Sequence, residues 1–133
     1  MNGEAAENAG LTLGLLAGQF AVCRLAPGSA LPGWLGWSEE LVSVTATAEE
    51  VSIVCPAGRV PADVRAERDW RAFVVEGPLD FALVGILAKL SGALAEAGVS
   101  LFAISTYDTD YLLVREAKLE AATAALSTVC RVR

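Results

Sequence analysis

Residues 70–133 constrain the fold most, because their hydrophobic periodicity switches several times between that of a strand and that of a helix. Residues 70–76 (WRAFVVE) form a β-rich run that stops at Gly77-Pro78, a turn signal. Apolar residues then recur at helical spacing on one face: Leu83, Leu87, Leu90 and Leu94. With Asp80 as N-cap and Gly98 just past the end, this segment is predicted to form a one-sided helix lying on a sheet.

Further strands and a second helix follow in the sequence. Residues 99–106 (VSLFAIST) and 111–114 are predicted as strands joined by the polar turn 107–110. An amphipathic helix is predicted over about residues 116–127, and a last strand over residues 128–132. The order β-α-β-β-α-β is that of an α+β, ferredoxin-like fold, in which both helices cover one face of an antiparallel sheet.

The first half of the chain repeats the centre of this pattern in shortened form. The hairpin pattern of residues 41–55 aligns with that of residues 101–114, so that Leu41 matches Leu101 and Val54 matches Val114. We therefore predict tandem modules, a degenerate one over residues 11–69 and a complete one over residues 70–133.

The degenerate module is predicted to differ from the complete one in its helices. Leu31–Trp37 is its candidate first helix, with Trp34 and Trp37 packing on the sheet or lining a pocket. An extra apolar strand, Leu11–Leu16, is placed at its head, and residues 56–69 are predicted as a loop with at most one helical turn.

Charge and composition exclude several classes of function. The chain has 10 basic and 16 acidic residues, a net charge of −6, and no histidine. An acidic chain repels phosphate backbones and anionic lipids, so neither nucleic acid nor a membrane is expected as a partner. Without histidine, Ser–His and Cys–His catalysis and the commonest transition-metal ligand are lost. We predict a protein without enzymatic activity, cofactor or metal; a small carboxylate enzyme is the remote alternative.

Three cysteines and the chain start bear on location. Cys23, Cys55 and Cys130 are odd in number and far apart, so we predict buried, unpaired thiols. Residues 1–10 lack the basic start and apolar run of a signal peptide, which favours the cytoplasm.

The apolar excess in a chain of 133 residues favours a homodimer over a larger monomeric core.

Two turns are predicted to meet at one edge of the complete module, the helix-start turn 77–81 and the strand end 104–110. The backbone N–H groups of a helix start suit a carboxylate, and nearby acidic side chains suit an ammonium or guanidinium group. A site with both features matches an amino acid. The alternative is that Asp80 is an ordinary N-cap and that Asp108 and Asp110 are ordinary turn residues.

Residues 76–114 (EGPLDFALVGILAKLSGALAEAGVSLFAISTYDTDYLLV) resemble an ACT domain, the small regulatory amino-acid-binding module. They are similar to the tandem modules of CASTOR-type arginine sensors and to the regulatory repeats of aspartate kinases. The resemblance implies a non-catalytic regulatory protein that binds an amino acid at the junction between modules or protomers. The implied ligand-binding residues are Gly77, Pro78, Leu79, Asp80, Phe81, Val84, Ile104, Ser105, Thr106, Tyr107, Asp108 and Asp110.

A second interpretation of the same resemblance stays open. In it the fold binds no small ligand and serves for dimerisation or for docking on a metabolic enzyme. A polar cleft favours the first interpretation, and a filled apolar junction favours the second.

Overall fold

The computed structural model describes residues 11–37, 39–76 and 85–133. The chain divides into two compact units. We call residues 17–70 the N-terminal unit, and residues 71–133 together with residues 11–16 the C-terminal unit. The division into modules at residues 69 and 70 stays a prediction.

The described residues form eight strands and two α-helices. The strands are β1 (Thr12–Leu15), β2 (Phe20–Leu25), β3 (Ser43–Ala46), β4 (Val51–Pro56), β5 (Ala66–Val75), β6 (Phe102–Ser105), β7 (Asp110–Arg115) and β8 (Arg131–Val132). The helices are α1 (Ile86–Glu96) and α2 (Leu119–Leu126). Short 3-10 turns at Ala57–Arg59 and Glu116–Lys118 follow β4 and β7.

The C-terminal unit has the predicted β-α-β-β-α-β order, running through β5, α1, β6, β7, α2 and β8. Its strands lie in the order β6-β7-β5-β1-β8, so β1 is inserted between the first and last strands of the motif. β1 is antiparallel to β5 and parallel to β8. The α+β, ferredoxin-like prediction is confirmed, with one added strand.

The strand at residues 11–16, predicted at the head of the first module, pairs with strands of the C-terminal unit. Leu13 is paired with Val75 on one side and with Val132 on the other, and it is fully buried in the core of the C-terminal unit. The Arg131 N–H donates to the Leu11 carbonyl at 2.9 Å. Burial of an apolar side chain between two partner strands explains why this segment joins the C-terminal unit.

The core of the C-terminal unit lies between the helices and the sheet. Leu90 and Leu94 of α1 and Leu126 of α2 are fully buried, and they pack with Phe73 and Leu112 of the strands. Leu90 and Leu94 belong to the predicted helical face, and Leu87 packs against the same core; Leu83 lies outside the described residues. The 3.6-residue period therefore identifies the buried side of this helix.

The two ends of α1 compare differently with the sequence prediction. At the C-terminus, Gly98 has a φ of 72°, and the Val99 N–H donates to the Leu94 carbonyl at 2.9 Å, which is a Schellman cap. At the N-terminus, the described helix begins at Ile86. Gly85 takes the N-cap position with a φ of 79°, a left-handed conformation that glycine adopts readily. Asp80 itself lies outside the described residues.

The N-terminal unit is an antiparallel sheet in the order β3-β4-β2-β5, with the first part of β5 at one edge. The predicted hairpin of residues 41–55 is present as β3 and β4. The segment Leu31–Trp37 forms turns rather than a helix, because Pro32, Gly33 and Gly36 oppose one. Trp34 packs against the core of this unit, whereas Trp37 is 65% exposed.

Strand β5 begins at Ala66, within the stretch predicted to be a loop. The guanidinium of Arg68 donates to the carbonyls of Val60, Pro61 and Val64, at 3.0, 2.8 and 3.0 Å. These bonds satisfy backbone acceptors of the preceding loop, which contains the single predicted turn at Ala57–Arg59. Arg68 thus fixes the loop against the start of the strand.

Candidate functional site

The predicted site divides between described and undescribed parts of the chain. Residues of the strand end and hairpin are described: Ile104, Ser105, Thr106, Tyr107, Asp108 and Asp110. Residues of the helix-start turn lie outside the described residues: Gly77, Pro78, Leu79, Asp80, Phe81 and Val84. The described part of the predicted site is therefore the hairpin, which lies near the end of β5.

A tight polar hairpin joins β6 to β7. Ser105 pairs with Asp110 across the two strands. The Thr106 N–H donates to the Thr109 carbonyl at 2.8 Å, and the Thr109 N–H donates to Thr106 Oγ1 at 3.1 Å. The threonine side chain replaces a backbone acceptor in closing the turn. Tyr107, at the tip, is 84% exposed.

Ser105 orients the carboxylate of Asp110. The Ser105 hydroxyl donates to Asp110 Oδ1 at 2.6 Å, the short distance of a bond to an ionised acceptor. Asp110 is half-buried, and Ser105 is exposed. Since a carboxylate offers about four acceptor positions, this bond leaves capacity for a donor from solvent or a ligand.

The hairpin is attached to the end of β5 through Thr109. The Thr109 hydroxyl donates to the Val75 carbonyl at 2.5 Å. This bond places the end of β5 beside the hairpin. The sequence analysis did not single out Thr109. The feature that could have identified it is a threonine in a turn, because the hydroxyl of such a residue often bonds to backbone groups.

An ion pair lies at the same end of β5. Glu76 accepts a hydrogen bond from Arg133 Nε at 3.0 Å, and its N–H donates to the Thr12 carbonyl at 2.8 Å. A Cβ added to Gly14 would stand 2.8 Å from Glu76 Oε2, so the missing side chain of Gly14 makes room for this carboxylate. Arg133 supplies a cation to an otherwise acidic strand end. Sequence analysis missed Arg133 and Gly14, because only strand pairing brings them to Glu76.

The thiols are buried and unpaired, as predicted. Cys23 and Cys55 lie on adjacent strands of the N-terminal unit, where Cys55 follows the partner of Cys23 by two residues. A hydrogen bond from Cys55, helped by the positive charge of Arg68, lowers the pKa of Cys23. Donating that bond and burial both raise the pKa of Cys55. The bond therefore favours the protonated form of Cys55.

Cys130 gives a testable pH dependence. Burial raises the pKa of this thiol from 9.0 to about 11, and its Sγ lies 3.3 Å from the Leu126 carbonyl. The folded state holds the proton more tightly than the unfolded state. The stabilisation is therefore complete below pH 9 and is lost as the pH rises towards 11.

We expect the free energy of unfolding of the wild-type protein to fall more steeply over this range than that of Cys130→Ala. The excess slope is at most about 1.4 kcal/mol per pH unit. Urea unfolding at several pH values measures both slopes. Identical slopes for the two proteins would contradict the assignment to Cys130.

Comparison with known proteins assigns the C-terminal unit. A family model described as ACT domain matches residues 65–128. The regulatory subunit of aspartate kinase from Thermus thermophilus, in its ligand-free form, has the same fold at 14% identity, with a TM-score of 0.60 over 88% of this chain and 95% of that one. Residues 65–128 of this chain belong to the ACT domain family. A second model, of an N-terminal domain, matches residues 18–63.

Other solved structures are similar to this ACT-domain protein over nearly its whole length. The crystal structure of a protein from Agobacterium tumefaciens is 35% identical, with a TM-score of 0.86 and 92% of each chain covered. A Vibrio cholerae protein, described as of unknown function and a possible transport protein, is 24% identical, with a TM-score of 0.74 and 91% of each chain covered. None of the curated proteins is similar enough to be matched with this sequence.

Two further observations concern the described part of the ACT-domain protein. No helix there has the length and apolar character needed to cross a membrane. Within the same residues, no three acidic or cysteine side chains come together as a metal-binding group would require.

Proposed function

We propose that this ACT-domain protein is a cytoplasmic regulatory protein without catalytic activity that binds a small ligand, an amino acid. The proposed site is the edge formed by the end of β5, the turn that follows it and the hairpin of residues 104–110. It comprises the twelve residues predicted from the sequence, and a second protomer of a homodimer completes it. The observation that supports the proposal is the bond from Thr109 to Val75, which joins the hairpin to the end of β5.

The charges at this edge suit the two ends of an amino acid. The Asp110 carboxylate, oriented by Ser105, is the proposed acceptor for the ligand's ammonium group or for a basic side chain. The exposed carboxylate of Asp108 adds negative potential at the hairpin tip. The backbone N–H groups of residues 77–81 are the proposed donors to the ligand carboxylate. A ligand held at both ends is distinguished from a simple amine or a simple acid.

Family membership supports a regulatory role rather than a catalytic one. The structural relative from Thermus thermophilus is described as the regulatory subunit of a kinase, and its chain is covered over 95% of its length. A ligand that contacts both the turn after β5 and the hairpin would favour the arrangement of the protomers in which both segments face the ligand. It thereby shifts the population between arrangements of the protomers.

Isothermal titration calorimetry with each of the twenty amino acids tests this function. We expect heat of binding from one amino acid or a few chemically related ones, and none from the matching amine or carboxylic acid alone. If none of the twenty amino acids binds at millimolar concentration, the proposal is overturned. It would favour the interpretation of a ligand-free interaction module.

A further inference from the structure

Strand β3 forms an open edge of the sheet in the N-terminal unit. Within the described residues it pairs with β4 alone, in an even register from Ser43 to Ala46. Its last two residues, Thr45 and Ala46, are exposed. An edge strand presents unpaired backbone N–H and C=O groups, with which another extended chain can pair. This edge is therefore a surface to which a further strand can be added.

The hairpin after β3 determines which backbone groups point away from the sheet. The Thr47 N–H donates to the Glu50 carbonyl at 2.9 Å. Hydrogen-bonded and non-hydrogen-bonded pairs alternate along an antiparallel ladder, so the backbone groups of Thr45 point towards β4. The N–H and C=O groups of Val44 and Ala46 point the other way. These four groups form the free edge.

The sequence of β3 lacks the features that usually protect an edge strand from pairing. Residues 41–48 (LVSVTATA) contain no charged residue, no proline and no glycine, whereas edge strands commonly carry lysine, proline or a bulge. The edge strand β8 of the C-terminal unit is only two residues long, and its Arg131 is exposed. By comparison, β3 is left open to pairing.

Acidic side chains stand at both ends of this edge. Glutamates occupy positions 39–40, before the uncharged stretch, and positions 49–50, after it. Arg59 forms an ion pair at the first end, and Arg24 donates to a backbone carbonyl at the second. Two carboxylates against one guanidinium leave each end acidic. The edge strand β6 differs, because residues 97–101 before it carry no charge.

These charges distinguish between two kinds of strand that could pair with β3. A second copy, paired antiparallel through β3 about a two-fold axis, would bring residues 39–40 of each copy to residues 49–50 of the other. Like charges would then meet at both ends, which is destabilising. A segment with basic residues at both ends would meet opposite charges instead. The net charge of −6 attracts such a segment at longer range as well.

We propose that the β3 edge binds an extended, basic segment of a partner protein, which adds a strand beside β3. The backbone of the segment pairs with Val44 and Ala46, and its basic side chains meet the glutamates at the two ends. In this mode of recognition the main-chain bonds provide affinity and the side chains provide selectivity. Five residues between the basic ends match residues 42–46, a length of about 17 Å. The edge belongs to the N-terminal unit, and its use does not depend on the proposed ligand.

A synthetic peptide of nine residues tests the proposal. It consists of Val-Thr-Val-Thr-Val between two lysines at each end, with an acetyl and an amide cap. We expect titration calorimetry to show that it binds the full chain at least about ten-fold more tightly than the same peptide with glutamates in place of the lysines. A peptide with proline at the central position keeps the charge but loses an N–H and fits a ladder poorly, so at least about ten-fold weaker binding is expected. Equal binding of either control peptide, or no binding of the lysine peptide at millimolar concentration, overturns the proposal.

Amide hydrogen exchange shows whether the lysine peptide pairs with the backbone of β3. We expect the peptide to slow exchange at Val44 and Ala46, whose N–H groups point outward, and to change it little at Thr45, whose N–H already points towards β4. Attraction by charge alone would not produce this alternation. Binding without slower exchange at Val44 and Ala46 overturns strand addition.

Variants of the protein separate local charge from net charge. The double variant Glu40→Lys, Glu49→Lys is expected to bind the lysine peptide at least about ten-fold more weakly than the wild type. The control, Asp63→Lys with Glu120→Lys, changes two exposed acidic residues away from β3 and is expected to bind like the wild type. Equal losses in the two double variants would overturn the site.

A backbone variant tests for the competing occupant, a second copy of the chain. Val44→Pro removes an outward N–H without removing a bond to β4, and we expect it to weaken peptide binding at least about ten-fold. If Val44→Pro fails to fold, the proline peptide and the charge variants decide. Self-association of the wild type in sedimentation equilibrium that Val44→Pro abolishes would assign the edge to a second copy and overturn the proposal. Calorimetry with amino acids reports separately on the ligand.

Discussion

Arg68→Met is expected to lower the free energy of unfolding by about 2–4 kcal/mol. The Arg68 guanidinium is half-buried and donates to the carbonyls of Val60, Pro61 and Val64. Methionine keeps much of the apolar stem but removes all three bonds, which leaves partly buried carbonyls without this donor. Urea unfolding followed by far-ultraviolet circular dichroism measures the loss.

Two variants separate the hydrogen bonds of Arg68 from its charge. Arg65→Met removes a positive charge from an exposed side chain nearby, and we expect a change within about 0.5 kcal/mol. Arg68→Lys keeps the charge but loses the planar fork, so it is expected to fall between Arg68→Met and the wild type. If Arg68→Met is no more destabilising than Arg65→Met, the three bonds do not hold the loop.

Asp110→Ala is expected to weaken binding of the amino acid found by calorimetry by about ten-fold to a hundred-fold. This is the loss of about 1.5–3 kcal/mol that follows removal of a charged hydrogen-bond partner. The carboxylate is held by the Ser105 hydroxyl at 2.6 Å, so its orientation is set before the ligand arrives. Titration calorimetry on the variant measures the change in the dissociation constant.

Matched variants show whether charge or orientation matters at this position. Asp110→Asn keeps an acceptor for Ser105 but removes the charge, and we expect it to bind nearly as weakly as Asp110→Ala. Ser105→Ala keeps the charge but loses its orientation, so a smaller loss is expected. Asp63→Ala removes an exposed acidic side chain of the N-terminal unit and serves as the control for net charge. Unchanged affinity in Asp110→Ala would show that the ligand ammonium lies elsewhere.

Local patterns in the sequence predicted much of the C-terminal unit. The leucine spacing identified the buried face of α1, and Gly98 marked its end, because both depend on residues close together in the chain. The start of α1 is harder to predict from local sequence patterns. Gly85 and Gly92 both stand in an apolar helical pattern, but Gly85 adopts a left-handed conformation at the N-cap of α1, whereas Gly92 lies inside the helix. The residue type alone does not distinguish these two roles of glycine.

Long-range pairing accounts for what the sequence did not predict. The apolar strand β1 fits any sheet edge that can bury Leu13, and its choice of β5 and β8 depends on both of them. The bond from Thr109 to Val75 and the ion pair of Glu76 with Arg133 likewise join residues far apart in the chain. Sequence reasoning therefore identified the polar residues of the hairpin but not the contacts that attach it to β5.

Chemical shift mapping with the amino acid found by calorimetry tests the central claim most directly. Backbone amide spectra of the uniformly ¹⁵N-labelled full chain are recorded without and with a saturating amount of that amino acid. We predict that the largest shifts fall on residues 105–110 and on Glu76, whose amides lie at the hairpin and at the end of β5. Shifts confined to α1 and α2, or no shifts with any amino acid, would contradict a ligand site at this edge.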